Sequence, residues 1–513
     1  MTAGAEIELK FLFAEKDSTK IKALVSAAAG AKKPAHQRLR AVYFDTPDSD
    51  LWKHRFILRV RATGKSHIQT IKQLQASSVH RGEWETEIGK LEPDLDLITD
   101  TPLACLAAKP SIRQALRPAF EVNVERTSYC LEAGGAVIEA SLDRGTIEAN
   151  GDKLSVRELE LELKSGSEQA LYNLARAFVA QAPLSLSPIS KAERGHRLAE
   201  GSWGHPAKGS KPRLAKDMTC EEAFREICRT CLHDFHLNML GLETLDDTEA
   251  VHQGRVAIRR LRAAIMLFKP MVFDLNYRKI RDGLKWLAGS FGVARDLDVL
   301  REKLLPRIAS EPVAALMRDL ASRCEASRLR ARQAAVEALN SERGRTLLLN
   351  LAVWIEDGKW HQQFSDIAFE PIQNFAGRRL KKRHKRLVRH GVDLAELAPG
   401  PRHKVRIDAK EMRYMMEFFV DVPGVAKDHK HLNKLIDCCE KLQTALGVIR
   451  DEEAMAELME HEIGGDTAAA NESAKTAILA PAFFWREKAG TEGELKKALR
   501  AYSQLTKIDA FWD

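Results

Sequence analysis

Residues 6–11, EIELKF, put Glu6, Glu8 and Lys10 on one side of an extended chain and Ile7, Leu9 and Phe11 on the other, because strand side chains alternate with period two. The pattern returns in ILRVR, with Arg59 and Arg61 on one face, and in RGEWETE, with Arg81, Glu83, Glu85 and Glu87. In RELELELK, Glu158, Glu160 and Glu162 oppose Leu159, Leu161 and Leu163. Any one of these strands fits an antiparallel sheet with a solvated outer face. Together they ask for more. The apolar faces need a cover of helices, and the charged faces carry both acidic and basic clusters on separate segments. A sheet curled into a barrel with a polar interior gives those charges one shared, water-filled space. Clustered carboxylates there suit a hard divalent cation such as Mg2+, while arginine and lysine opposite them suit phosphate oxygens.

At 513 residues the chain has room for two to four domains. Strand patterns fall at about 5–13, 37–45, 55–62, 66–75, 80–88, 119–132, 136–148 and 155–165. DSTKIKALVSAAAG and SGSEQALYNLARAFVAQA read as helices. Residues 200–217, rich in Gly, Pro and Lys without periodicity, predict a linker. From residue 218 the pattern is helical nearly throughout. Net charge is +8, and it is uneven: residues 1–200 hold 28 Lys and Arg against 27 Asp and Glu, the remainder 52 against 45. The second part is therefore the basic one and points to an anionic partner. No apolar run approaches the ~20 residues of a membrane span, and no signal-peptide pattern opens the chain, so a cytoplasmic location is the expectation. The cysteines form no disulfide framework. CRTCLHDFH (228–236) contains metal-binding residue types, but its helical spacing favours buried core cysteines.

The helical part repeats itself. HQGRVAIRRLR from residue 252 and HKVRIDAKEMR from residue 403 both fit H-x-x-R-x-x-x-[RK]-x-x-R, and downstream FGVARD ends at Asp296 and LGVIRD at Asp451. Two landmarks in the same order, 151 and 155 residues apart, indicate a duplicated unit. The motif spacing puts His252, Arg255, Arg259 and Arg262 on one helix stripe and His403, Arg406, Lys410 and Arg413 on another. A solvated charged face is the ordinary reading of such a stripe, but it does not explain why two distant segments share one spacing. A polyanion does. GRRLKKRHKRLVRH (377–390) adds positive charge. A nucleic-acid partner is disfavoured, because no zinc finger, stacking ladder or RRM signature accompanies it.

EIELKF, VYFDTPDSDL, ILRVR, TIK, RGEWE, IEASLDRG, ELELELKSG and SKAERGHRL occur in the order seen in CYTH domains, the triphosphate tunnel metalloenzymes, and the resemblance covers about residues 1–200. It implies an eight-stranded antiparallel tunnel that acts on triphosphates, or as an adenylyl cyclase, with Mg2+ or Mn2+. Glu6, Glu8, Glu160 and Glu162 resemble its metal ligands. Arg59, Arg61, Lys72, Arg81, Arg126, Lys191 and Arg194 match its triphosphate-binding cations. Lys10 and Glu83 are the candidates for catalytic roles, with the choice of tunnel carboxylate as base left open. The two stripes with their RD landmarks resemble the CHAD domain, a helical duplicated module associated with inorganic polyphosphate. Lys410 departs from the arginine of the first copy.

The expected architecture is multidomain: an N-terminal eight-stranded antiparallel β-barrel with flanking helices (1–200), a linker (201–217) and an all-α domain (218–513) of two repeated four-helix bundles, about 218–345 and 346–513. The expected function is metal-dependent hydrolysis of inorganic triphosphate beside a polyphosphate-binding helical domain, with no membrane partner. The alternatives are hydrolysis of nucleoside or thiamine triphosphate, cyclic AMP synthesis, or a non-catalytic polyphosphate- or RNA-binding protein. Oligomeric state leaves no mark in the sequence.

Overall fold

The computed structural model describes residues 7–508 except 65, 74–82, 241, 243–246, 305–313, 364–365, 423–424, 426–428 and 465–490. Nine strands form one antiparallel sheet: β1 Ile7–Leu12, β2 Ala35–Asp45, β3 Phe56–Thr63, β4 Ser66–Gln73, β5 Glu83–Ile88, β6 Arg117–Ala133, β7 Ala136–Ala149, β8 Asp152–Ser165 and β9 Ser185–Leu186. Their order is β5-β4-β3-β2-β6-β7-β8-β1-β9. The eight long strands fall on the eight predicted segments. The ninth is a two-residue addition that pairs with Phe11 and Leu12. The hydrogen-bonded ladder does not close among the described residues, yet side chains from all eight long strands line a single cavity.

That curl follows from the alternation. Leu159 and Leu161 of β8 and Phe11 of β1 turn away from the cavity into a fully buried core. There they meet α1 (Ser18–Ala29) through Ile21 and Val25, and α2 (Glu168–Gln181) through Leu171 and Phe178. Leu349 and Val353 join the same core. Leu58, Val60 and Ile71 build a second apolar layer behind β3 and β4. Each buried large apolar side chain contributes ~1.5–3 kcal/mol, which offsets the cost of gathering charge on the opposite face.

A third helix, α3 (Lys191–Ala199), is capped by the Ser190 hydroxyl, which accepts a hydrogen bond from the Glu193 N–H. It lies against the inner ends of β2, β6 and β7, where Ala192 and Leu198 pack with Phe120, Ile147 and Val156. A Cβ on its Gly195 would sit 2.2 Å from the Phe120 ring, so only glycine lets the helix settle there.

The remaining long helices are α4 (Cys220–Met239), α5 (Thr248–Leu267), α6 (Tyr277–Val299), α7 (Ala314–Asn340), α8 (Glu342–Asp357), α9 (Ile372–His390), α10 (Pro399–Phe419), α11 (His429–Gly464) and α12 (Thr491–Thr506). Residues 200–217 carry no regular element. The contacts of the chain define two compact units. One comprises Met1–Ala207 with His233–Ala250 and Glu337–Ile355; the other comprises Lys208–Leu232, Val251–Val336 and Glu356–Asp513. The core of the second includes Phe224, Phe268, Phe375 and Trp360, with Phe268 and Phe375 stacked at 4.8 Å. Cys228 and Cys231 are buried and outside any disulfide among the described residues, and burial pushes the Cys228 thiol well above its ordinary range. They pack as core residues.

Gly145 on β7 is the tightest point of the sheet, since a Cβ there would lie 1.9 Å from the Asn123 carbonyl oxygen on β6. Gly145→Ala must push two paired strands apart. It should destabilise the sheet by at least about 2 kcal/mol, read as a lowered midpoint in urea; an unchanged midpoint would contradict the register.

Candidate functional site

Strand register decides which charges share a level. Glu8 of β1 pairs with Glu162 of β8, and Glu162 with Glu139 of β7. One step further in, Lys10 pairs with Glu160 and Glu160 with Ser141. At the third level Glu158 pairs with Asp143, and Asp143 with Arg126 of β6. Three carboxylates at one level are followed by mixed charge below. Like charges directly opposite on a sheet are destabilising, so the first level is stable only near cations.

Lys10 pairs with Glu8 there and Lys164 lies 2.6 Å from Glu162, and the deeper levels are paired more fully. The Lys191 ammonium lies 2.7 Å from Asp143, 2.5 Å from Glu158 and 2.8 Å from Glu160. Arg126 donates two bonds of 2.7 Å to Asp143 and another to Glu160. Arg194 donates to Glu158. Burial opposes ionisation of Glu160, but Lys191, Arg126 and Lys10 outweigh it and hold its carboxyl well below the usual range. Glu158 goes the other way: burial, with the Glu160 charge beside it, raises its carboxyl despite Lys191 and Arg194. Lys191 is raised in turn, because the three carboxylates outweigh its own burial.

Across the cavity, β3, β4 and β5 present Arg59, Arg61, Lys72, Glu83 and Glu85. Lys72 is 2.7 Å from Glu83, and Arg59 donates to Thr70 at 3.1 Å. Burial would raise the Glu83 carboxyl, but Lys72, Arg59 and Arg61 hold it below its ordinary value. Arg61 is lowered, first by burial and then by Arg59. It makes no ion pair within 4 Å among the described residues, and the buried Arg59 Nε also lacks a partner there. A cavity of about 580 Å3 joins both walls.

Of the residues picked out by sequence, Glu8, Lys10, Arg59, Arg61, Lys72, Glu83, Arg126, Glu160, Glu162 and Lys191 line this cavity. Glu6 and Arg81 lie outside the described residues. Arg194 does not line the cavity; it is buried behind it on Glu158. Sequence reasoning passed over Glu139 as a site residue, although Glu139, Ser141 and Asp143 alternate in IEASLD and carried the same signal as β8. The Asp143–Glu158–Glu160 group has ligand oxygens within 4.8 Å of one another. In this structure the Lys191 ammonium fills the space those three carboxylates share, which leaves the outer level of Glu8, Glu139 and Glu162 as the carboxylate oxygens suited to a hard divalent cation.

In the second unit, α5 and α10 carry the two predicted stripes, and all eight side chains are half-buried instead of solvated. Arg255 and Arg406 each stand against a glycine of a landmark: a Cβ on Gly292 would lie 2.5 Å from Arg255 Nη1, and one on Gly447 would lie 3.3 Å from Arg406 Nε. The repeated G-V-x-R-D thus makes room for the repeated arginine. The side chain of Asp451 lies outside the described residues. Lys410 is buried in the combined field of Arg259, Arg406, Arg255 and Arg413, so the two stripes come together. On the basic helix α9, Arg383 is 2.5 Å from Glu411, and Arg386 and His390 are 3.0 and 2.6 Å from Asp408. Part of that run is therefore committed to helix pairing.

Residues 4–196 match the family model of the CYTH domain, and residues 226–460 match that of the CHAD domain. Over 160 residues, 30% of this chain and 44% of the relative, the sequence is 29% identical to the inorganic triphosphatase of Haemophilus influenzae. An uncharacterised protein of Mycobacterium tuberculosis is 25% identical over 334 residues, 61% of this chain and 62% of that protein. The chain thus spans less than two thirds of either relative. The crystal structure of the CHAD domain from the plant Ricinus communis covers 60% of this chain and 99% of its own, with 26% identity and a TM-score of 0.50.

Burial and the four surrounding guanidinium groups push the Lys410 ammonium down to about 6. A lysine with a depressed folded value binds its proton more readily when unfolded. Stability therefore rises with pH from about 6 up to the unfolded value of about 10. Lys410→Met removes this penalty. Near neutral pH the variant should melt a few degrees above the native protein, and the gap should close by about pH 10. A lower midpoint for the variant at neutral pH would contradict this.

Proposed function

From the premise that this chain belongs to the proteins joining a CYTH domain to a CHAD domain, we propose that its tunnel hydrolyses inorganic triphosphate with a divalent metal and that its helical region binds inorganic polyphosphate. The observation that carries the first half is Arg61: a half-buried guanidinium beside Arg59, facing a cavity and without an ion pair among the described residues, is suited to an anion of high charge density. No helix of the described residues is long and apolar enough to cross a membrane.

Arg59, Arg61, Lys72, Arg126 and Lys191 would grip the phosphate oxygens from opposite walls and balance the charge that develops on the transferred phosphoryl group. Lys10, paired with Glu8, stands where it can hold the terminal phosphate against the acidic level. Glu8, Glu139 and Glu162 would hold Mg2+ or Mn2+, with Glu160 below them; the bound metal would supply charge neutralisation and a more acidic water. Glu6 remains a proposed ligand. The low proton affinity of Glu83 makes it an anchor for Lys72 and Arg59 more than a base. The apolar wall of Leu39, Ala41, Tyr43, Val122 and Val124 favours a second reading, in which a nucleoside triphosphate lays its base there.

The deciding experiment is phosphate release from tripolyphosphate, ATP, thiamine triphosphate and long-chain polyphosphate, with and without Mg2+ or Mn2+. Tripolyphosphate should be the best substrate; preference for ATP would select the second reading, and no release from any of them would leave a binding protein. Glu8→Gln should cut release about hundredfold or more while the melting midpoint holds, because a charged ligand oxygen is lost. Near-normal turnover of the variant would remove Glu8 from the metal site.

For the helical region, Arg255→Ala with Arg406→Ala should weaken polyphosphate binding at least about tenfold and lower its salt dependence, since fewer counterions are released. Hydrolysis of tripolyphosphate should stay within about twofold of native, because neither arginine lines the tunnel cavity. Affinity titrations at several salt concentrations, with single-stranded RNA as competitor, test this. Equal affinity of native and variant would make the stripes ordinary helix faces, and tighter RNA binding would move the assignment to nucleic acid.

A further inference from the structure

The cationic helix α3 is held from behind by a residue far along the chain. Lys191 and Arg194 meet Glu158, and at 100° per residue Glu193 and Arg197 are centred about 110° round the helix from them. There, His233 of α4 places Nε2 2.9 Å from Glu193 Oε2, while Arg197 Nε donates to Glu193 Oε1 at 3.4 Å. Both carboxylate oxygens are thereby used, and Glu193 is largely shielded from solvent. One turn on, Asn238 accepts from the Ala207 N–H at 3.0 Å and donates to the Ala207 carbonyl at 2.9 Å. The end of α4 is thus fastened to the chain that leaves α3. All these residues belong to the first compact unit.

We propose that His233 is a positioning residue for the tunnel: through Glu193 it fixes the rotation of α3, and so the places of Lys191 and Arg194 over the carboxylates. The inference rests on the triphosphatase reading for its kinetic consequence, but not for the placement of the helix. The groups that face His233 are Glu193 and Arg197 on α3 and Asp234 on its own helix. The other histidine of α3, His196, turns elsewhere, stacked on Trp52 at 4.0 Å and 3.2 Å from Glu200. Burial would lower the His233 imidazolium, but the Glu193 charge outweighs it and raises its proton affinity. The charged pair is therefore complete in acid and loses its charge as pH rises through the raised value of His233.

The test uses the full chain with His233→Ala, His233→Gln and Glu193→Gln. His233→Ala should raise KM for tripolyphosphate about tenfold, the low end for losing a hydrogen bond to a charged group, with kcat less affected. His233→Gln keeps a neutral donor. The ratio of its KM to the native KM should exceed one in acid and fall towards one as pH rises, a change that cancels the titration of the substrate itself. Amide exchange over residues 191–199 reads the helix directly: His233→Ala should accelerate it, and Glu193→Gln should add nothing to His233→Ala. Native KM and a flat ratio at every pH would overturn the proposal, as would unchanged exchange. If the native chain hydrolyses no tripolyphosphate, the functional reading fails, and the exchange experiment alone decides the positioning role. A variant that fails to fold is replaced by His233→Asn, which keeps a neutral donor on a shorter side chain; normal exchange in that variant would also overturn it.

Discussion

The tunnel depends on one interaction: a lysine ammonium inserted among three carboxylates. Asp143 and Glu158 are almost wholly buried, and an isolated buried carboxylate costs several kcal/mol even after the protein relaxes. Lys191, Arg126 and Arg194 together make that burial tolerable. The cations arrive from two directions. Arg126 comes from the neighbouring strand, fixed by register, and Lys191 and Arg194 come from α3, fixed by the packing of Gly195 on Phe120. If either is displaced, the inner face of β8 is left with unpaired charge. The apolar cover on the other face exists to sustain that arrangement: Leu159 and Leu161 share a strand with Glu158 and Glu160, so burying one face aims the other.

This is why so much of the sheet could be read before any coordinates. Period-two alternation is local information, and it located the eight long strands and the inward identity of most tunnel residues. What it could not supply was the level of each residue. Glu139 and Glu162 are 23 positions apart in sequence, and only the β7–β8 register makes them neighbours. Arg194 illustrates the other gap. Its segment, SKAERGHRL, carried no helix assignment in the sequence, and which of its faces looked into the cavity depended on how α3 docked. The role of His233 was invisible for the same reason, since no periodic signal links residue 193 to residue 233. In the helical part the repeated arginine stripes and the repeated G-V-x-R-D were both legible, and their relation became clear only when each glycine was found beside its arginine.

The two basic sites share a physical trait that ordinary surface charge lacks. Arg61 and Lys410 are each surrounded by further cations, and in each case burial is the largest cause of the lowered proton affinity. Carboxylates act on them only from beyond ion-pair distance among the described residues, Glu83 and Glu85 on Arg61 and Glu411 on Lys410, whereas Arg383 with Glu411 and Arg229 with Glu356 are close pairs. The repulsion that these carboxylates leave lowers the stability of the protein by itself and would raise that of a complex with a polyanion, because binding relieves it. The same residues on a solvated helix face would gain much less from a bound phosphate, since water and salt would already screen them. Under the proposed function, half-burial is what would turn a charge pattern into a site, and it is present in both parts of the chain.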